Sequence, residues 1–342
     1  MIPSKKSSPI KSTALVSMAL ASMALISISL AAVADACQVP VFRYALERWP
    51  ADNYELVVLH DGPLGEAESK LVEHLRASDR QSSVAANCGV RLIEVADLQD
   101  DVLKSVWTEH GKSGKPVLVS LYPVTAQEVP DRLIAAAPLN AESVGNLIDS
   151  PIRQEIAKRL VAGESAVWIF VPCGDPKQDQ VALDNLTRLV QQNEQSLELP
   201  EQEEIEDEQE LLQQVAIDLR LDFSILTLQR DDPKEQFLLK MLLASEPDLE
   251  GLDQPMAFPV LGRGRVLYAL VGKGISELTI GLASRFIIGP CSCQVKNQNP
   301  GFDLLMAVDW EKKIGTAKLS DPLPETTSAP VLLTIPPGRN AK

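Results

Sequence analysis

Apolar positions along this chain fall into two successions of the same kind, over residues 54–148 and 166–288. The first opens with an apolar run at 54–60, short and β-branched enough to predict a strand. Gly62-Pro63 ends it, and Ala67, Leu71 and Leu75 then recur four apart on one helix face. Residues 90–95 predict a second strand. Asp100 is placed to cap a helix with Val102, Leu103, Val106 and Trp107 on its apolar face. Pro116 leads into a β-rich run at 117–122, and residues 132–137 pair with it. Asn140 caps a last helix, and Ser150-Pro151 starts a connecting one with Ile152, Ile156 and Leu160 in register.

The second succession follows the same plan. Residues 166–171 predict a strand, and Val181, Leu186 and Leu189 lie on the helix after it. Residues 223–228 form the next strand, and Asp232-Pro233 is a cap and first-turn signal for a helix at 237–243. Phe258-Pro259-Val260 begins a strand pair that turns at Gly262-Arg263-Gly264 and returns over 266–271. Ser276 caps the last helix, which Gly289-Pro290 stops.

Strand, helix, strand, helix, strand pair, helix is the thioredoxin-like order, here twice over. The expected fold is therefore α/β, two tandem thioredoxin-like domains with a central mixed sheet flanked by helices. Their bounds read as 54–162 and 163–318, each long enough to bury its own core. Pro116 and Pro259 are expected at equivalent strand starts. Residues 37–53 interleave arginine with Phe42, Tyr44 and Trp49, which suits a segment docked along a domain surface. Residues 198–214, dense in Glu and Gln, read as a solvated acidic insertion. From Leu319 onward Pro, Thr and Ser predict a disordered tail over 319–342.

Charge and the N-terminus narrow the function. Lys5, Lys6 and Lys11 precede an uncharged stretch at 12–34 and a small-x-small site at Ala34-Asp35-Ala36, the pattern of a secretory signal over 1–36. That stretch is long enough to serve instead as a retained membrane tether through residues 1–37. Loss of residues 1–36 takes three lysines and one aspartate and leaves a net charge of −17. So acidic a chain is repelled by phosphate backbones, so no nucleic-acid partner is expected. Aromatic residues make up only 4%, too few for a base- or sugar-stacking surface.

Candidate chemistry sits at the first strand-to-helix junction of each succession, where thioredoxin-like folds keep a Cys-x-x-Cys and a helix N-terminus lowers the thiol pKa. The first has His60-Asp61-Gly62-Pro63 with no thiol. The second has Cys173-Gly174-Asp175-Pro176, one cysteine and a proline where its partner belongs. If cis, Pro116 and Pro259 would mark the surface where an extended peptide lies; the ordinary reading is a trans-proline at a strand start. Gly262-Arg263-Gly264-Arg265 lies between strands and reads as a hairpin turn that leaves a local positive spot. Cys291 and Cys293 are expected near the surface on a loop. They are open to a short disulfide, a redox role, a metal held with outside help, or pairing with other cysteines, Cys37 foremost. Cys37 is also open to lipidation. His60, His74 and His110 offer no ligand spacing, so neither metal nor cofactor is expected.

Residues 37–49 and the run Phe-Pro-Val-Leu-Gly-Arg-Gly-Arg-Val-Leu-Tyr-Ala-Leu-Val-Gly-Lys-Gly at 258–274 resemble a family of uncharacterised exported bacterial proteins of planctomycete type. Gly289-Pro-Cys-Ser-Cys and Asn299-Pro-Gly-Phe-Asp-Leu-Leu-Met extend the similarity. The resemblance implies export and carries no activity. Two strand-helix patterns without a dithiol lead to one functional expectation, a non-catalytic extracytoplasmic module that binds peptide or protein. The alternatives are a thiol-disulfide oxidoreductase using Cys173 or the Cys291/Cys293 pair, and a membrane-anchored structural envelope component.

Overall fold

Tyr54–His60 (β1) buries nearly every side chain, and its alternation sends Leu56 and Val58 to one face and Val57 and Leu59 to the other. The structure is a computed structural model that describes residues 39–78, 86–200, 217, 218, 220–291 and 295–314. The sequence-expected signal at 1–36, most of the acidic insertion and the tail lie outside these residues, as do Cys37 and Cys293. Val41–Arg48 forms α1 ahead of β1. Then follow α2 (Glu66–Ala77), β2 (Cys88–Glu94), α3 (Asp101–His110), β3 (Val117–Leu121), β4 (Leu133–Pro138) and α4 (Ala141–Ile148). Asp100 accepts the Leu103 N–H at 3.1 Å, and Asn140 accepts that of Ser143 at 2.9 Å, so both sequence-expected caps form.

The first sheet has the order β2-β1-β3-β4, with β1 parallel to β2 and antiparallel to β3, and β3 antiparallel to β4. Pro151–Val161 (α5) leads to a second set: β5 (Ala166–Val171), α6 (Pro176–Ser196), β6 (Phe223–Thr227), α7 (Gln236–Leu243), β7 (Met256–Leu261), β8 (Arg265–Val266), β9 (Leu270–Val271) and α8 (Glu277–Ile288). Its sheet runs β10-β8-β7-β5-β6, with β9 also on β7 and β10 being Phe302–Asp303; Trp310–Ile314 is α9. Pairing directions repeat those of the first sheet: β5 is parallel to β6 and antiparallel to β7, and β7 is antiparallel to β8. The chain is thus α/β, with two mixed sheets flanked by helices.

Pro259 does not start a strand. It is the fourth residue of β7 and lies opposite Trp168 of β5. Pro255, directly before β7, holds the place that Pro116 holds before β3. No described peptide bond is cis. Pro259 has no N–H to give the returning strand, and the register slips by one residue between Val260↔Val266 and Ala257↔Leu270. The single return strand expected over 266–271 is therefore split into β8 and β9.

Nor do the halves keep separate cores. One buried cluster takes Leu56, Val58 and Leu118 from the first sheet, Ile169 and Phe258 from the second, and Ile156 and Leu238 from α5 and α7 between them. The described residues, which lie between 39 and 314, fall in one compact unit. Outside this shared layer, α3 covers the far face of the first sheet, and α1, α6 and α8 cover that of the second around Trp168 and Phe170. Arg153 of α5 is fully buried in the middle and donates to Asn146 O, Leu147 O and Leu305 O at 2.7–2.9 Å. Breaking such charge-assisted bonds would orphan several buried carbonyls.

The segment before β1 docks as expected. Val41, Phe42 and Ala45 are buried, and Pro40 pairs with Pro290. The expected positive spot is absent, because both arginines of the hairpin are buried at 8% and 5% exposure. Arg263 donates to Leu46 O and Glu47 O at the C-terminus of α1, where a cation complements the helix dipole. Arg265 pairs with Asp303 at 3.1 Å, and Lys296 joins Asp303 to Asp52. Gly262 has φ +59°, and a Cβ there would lie 2.6 Å from that of Ala45, so glycine is needed for α1 to dock.

Candidate functional site

In open α/β sheets ligands bind beyond the carboxyl ends of parallel strands. Each sheet here has one such edge, β1 beside β2 and β5 beside β6. The second opens into a cleft of about 590 Å³. Phe170, Leu183 and Pro176 give it apolar walls, and Cys173, Asp179, Arg230 and Asp231 give it polar groups.

Local chemistry shapes this junction. β5 ends at Val171, and Gly174 turns the chain at φ +94°, a conformation that disfavours a side chain. Asp175 then caps α6, accepting the N–H of Lys177 at 2.9 Å and of Gln178 at 3.2 Å. Asp179, in the first turn, reaches back to accept the N–H of Cys173 at 2.7 Å and of Gly174 at 2.9 Å. Four backbone donors at the positive end of the helix are thereby taken by two carboxylates. Arg230 is tied across the cleft to Pro172 O at 2.8 Å.

Partial burial pushes the half-buried Cys173 thiol above its ordinary pKa; the backbone N–H of Asp175 pulls the other way, and the carboxylates of Asp179 and Asp175 add to the upward shift, which prevails. A reactive thiol needs the opposite, a helix N-terminus or a cation that stabilises the thiolate. No other described cysteine lines the cleft.

At the first junction the carboxylate comes from the neighbouring strand. Glu94 ends β2 opposite His60, accepts the Gly62 N–H at 2.7 Å and lies 3.1 Å from His60 Nδ1. Gly62 O lies 2.9 Å from the same nitrogen. Two acceptors facing Nδ1 call for the proton there, which leaves Nε2 of the neutral ring as an acceptor.

Of the residues expected from sequence, only Cys173 lines the cleft. Pro116 is buried beside β1, since Val117 pairs with Leu59, and Pro259 is buried within β7. Cys291 is 2% exposed rather than on an open loop; its N–H donates to Val39 O at 2.9 Å, in the bridge that carries α1. Sequence reasoning missed Asp179, Arg230 and Glu94. An aspartate four residues after an N-cap aspartate was the visible signal for Asp179. Nothing local marked the other two, whose partners lie 58 and 32 residues away.

Among the described residues no cluster of three or more His, Cys, Asp or Glu is arranged to hold a metal ion. None of the described helices is long and apolar enough to cross a membrane. No protein-family model, no curated protein and no solved structure matches the chain.

Proposed function

We propose that this chain is a non-catalytic module of two thioredoxin-like halves that binds an extended peptide or protein segment in the cleft beside Cys173. The strand order and directions, repeated in both sheets, support the thioredoxin-like reading. The lysines and uncharged run of residues 5–36 support an extracytoplasmic location. One observation carries the non-catalytic reading: Asp175 and Asp179 occupy four backbone donors around a thiol whose pKa is raised in spite of the Asp175 N–H beside it. The cleft joins an apolar wall to acidic groups on a strongly acidic chain, which suits a segment with apolar and basic side chains.

The test pairs two measurements on the full chain. In dithiothreitol-driven insulin reduction, turnover is expected at the uncatalysed rate. Fluorescent ten-residue peptides alternating Leu and Lys should bind, and the Glu-for-Lys series should not. Dithiol-dependent turnover that disappears in Cys173→Ser would overturn the proposal in favour of the oxidoreductase.

A further inference from the structure

Arg230 follows the end of β6 and lines the cleft beside Cys173. Its Nε donates to Pro172 O at 2.8 Å, which holds the guanidinium against the cleft wall, and Nη2 lies 3.5 Å from Leu252 O. Nη1 meets no acceptor among the described residues, and no described carboxylate pairs with this arginine. The chain has 47 acidic residues against 32 basic ones, so the half-buried Arg230 lacks a counter-ion by position rather than by scarcity of carboxylates. Two carboxylates share the cleft with it. Asp179 has both oxygens on backbone N–H groups, and Asp231 is exposed to water, which screens it. Arg230 thus presents the open edge of a planar fork that matches a carboxylate.

The walls beside the fork decide which carboxylate fits. Pro172, which accepts the Nε bond, lies two residues past Phe170, at most about 7 Å along the backbone. Phe170 and Leu183 are apolar wall residues. A residue with an apolar side chain and a carboxylate on the same Cα can therefore touch the wall and the fork together. In a peptide, only the last residue has that form. An aspartate or glutamate within the peptide puts its carboxylate where the apolar side chain would go. The cleft of about 590 Å³ falls within the ~300–1,000 Å³ of sites that enclose small ligands, which suits the end of a chain better than a long run through it.

We propose that the cleft receives the free C-terminus of its peptide, with Arg230 binding the terminal carboxylate and Phe170 and Leu183 the last side chain. The proposal rests on the peptide-binding reading of the cleft and adds which part of the ligand is recognised there. Arg230 is then the residue that tells a chain end from an internal segment. Basic side chains earlier in the peptide answer the net negative charge of the chain.

Fluorescence titration of the full chain tests it, with ten-residue peptides that alternate Lys and Leu and end in Leu, one with a free C-terminal carboxylate and one amidated. The free acid should bind at least about tenfold more tightly than the amide. Arg230→Gln should weaken the free acid by about tenfold and leave the amide unchanged, so that the two bind alike. Arg230→Lys, which keeps the charge without the fork, should retain a preference of about threefold, and it decides the matter where Arg230→Gln does not fold. Equal binding of acid and amide to the unsubstituted chain would overturn the proposal and leave peptide binding standing, whereas binding of neither would overturn both. A preference undiminished in either variant would overturn it by placing the carboxylate elsewhere. Equal loss of both peptides in folded Arg230→Gln would do so by making Arg230 a support of the cleft wall. An amidated peptide ending in Asp that binds as tightly as the free acid would overturn it too, by assigning the fork to an acidic side chain.

Discussion

The two strand-to-helix junctions are built to one plan and closed in opposite ways. At the first, Glu94 from the adjacent strand reaches across to the Gly62 N–H and the His60 ring, so the carboxylate bridges the end of the crevice. At the second, Asp179 comes from the helix itself and folds back on Cys173 and Gly174, which leaves the space between β5 and β6 open. One junction is thus bridged by a carboxylate from the adjacent strand, while at the other Arg230 spans the strand ends and a cleft remains. In both, a carboxylate has taken backbone donors that a ligand anion or a thiolate would otherwise use.

The largest expected effect tests the cleft directly. Leu183→Glu places a charge on its apolar wall and should weaken peptide binding by about a hundredfold, near 3 kcal/mol, by fluorescence titration. Retained affinity would move the binding surface elsewhere. Asp179→Ala removes the acceptor of two N–H groups and should lower stability by about 2 kcal/mol, read as a shifted urea midpoint at constant m. Glu94→Ala should lower it by about 1 kcal/mol, because water can reach the half-exposed Gly62 N–H. Equal effects at the two junctions would erase the contrast drawn between them.

Two smaller effects concern protons. Asp179→Asn removes a charge that helps hold the Cys173 thiol up, so more thiolate forms at pH 7. Iodoacetamide labelling of the Cys173 peptide should then run about threefold faster by mass spectrometry. A slower rate would show that Asp179 does not hold the thiol up. The Asp175 carboxyl lies below the usual carboxylate range because of the Gln178 side chain, then the backbone N–H groups of Gln178 and Lys177. Its folded-state pKa is depressed, so its contribution is present above the ordinary carboxylate pKa and fades as pH falls through the folded value. Asp175→Asn, still a good cap, should flatten only this acid limb of the stability profile. An unchanged acid limb would count against the assignment.

Much of this was legible locally. The caps at Asp100, Asn140 and Ser276 and the buried runs of β1 and β5 lie where the periodicity put them, because each reflects a contact within a few residues. Pro259 misled because a proline inside an apolar run looks like its beginning, whereas the buried β7 continues through it. Cys291 misled because a Gly-Pro stop before a polar run predicts exposure. The Val39–Pro40 segment, some 250 residues earlier, covers it instead.

The sequence by itself determined the order of elements and the absence of a dithiol from both junctions, since hydrophobic period, caps and residue identity are properties of neighbours along the chain. Tertiary structure decided which buried surfaces meet. It merged two expected cores into one layer around α5 and α7, and it drew Arg263 and Arg265 inward to hold α1 and Asp303. It also set Glu94 and Asp179 against donors at the two junctions. Such pairings rest on approaches between residues distant in sequence, and no local pattern specifies them.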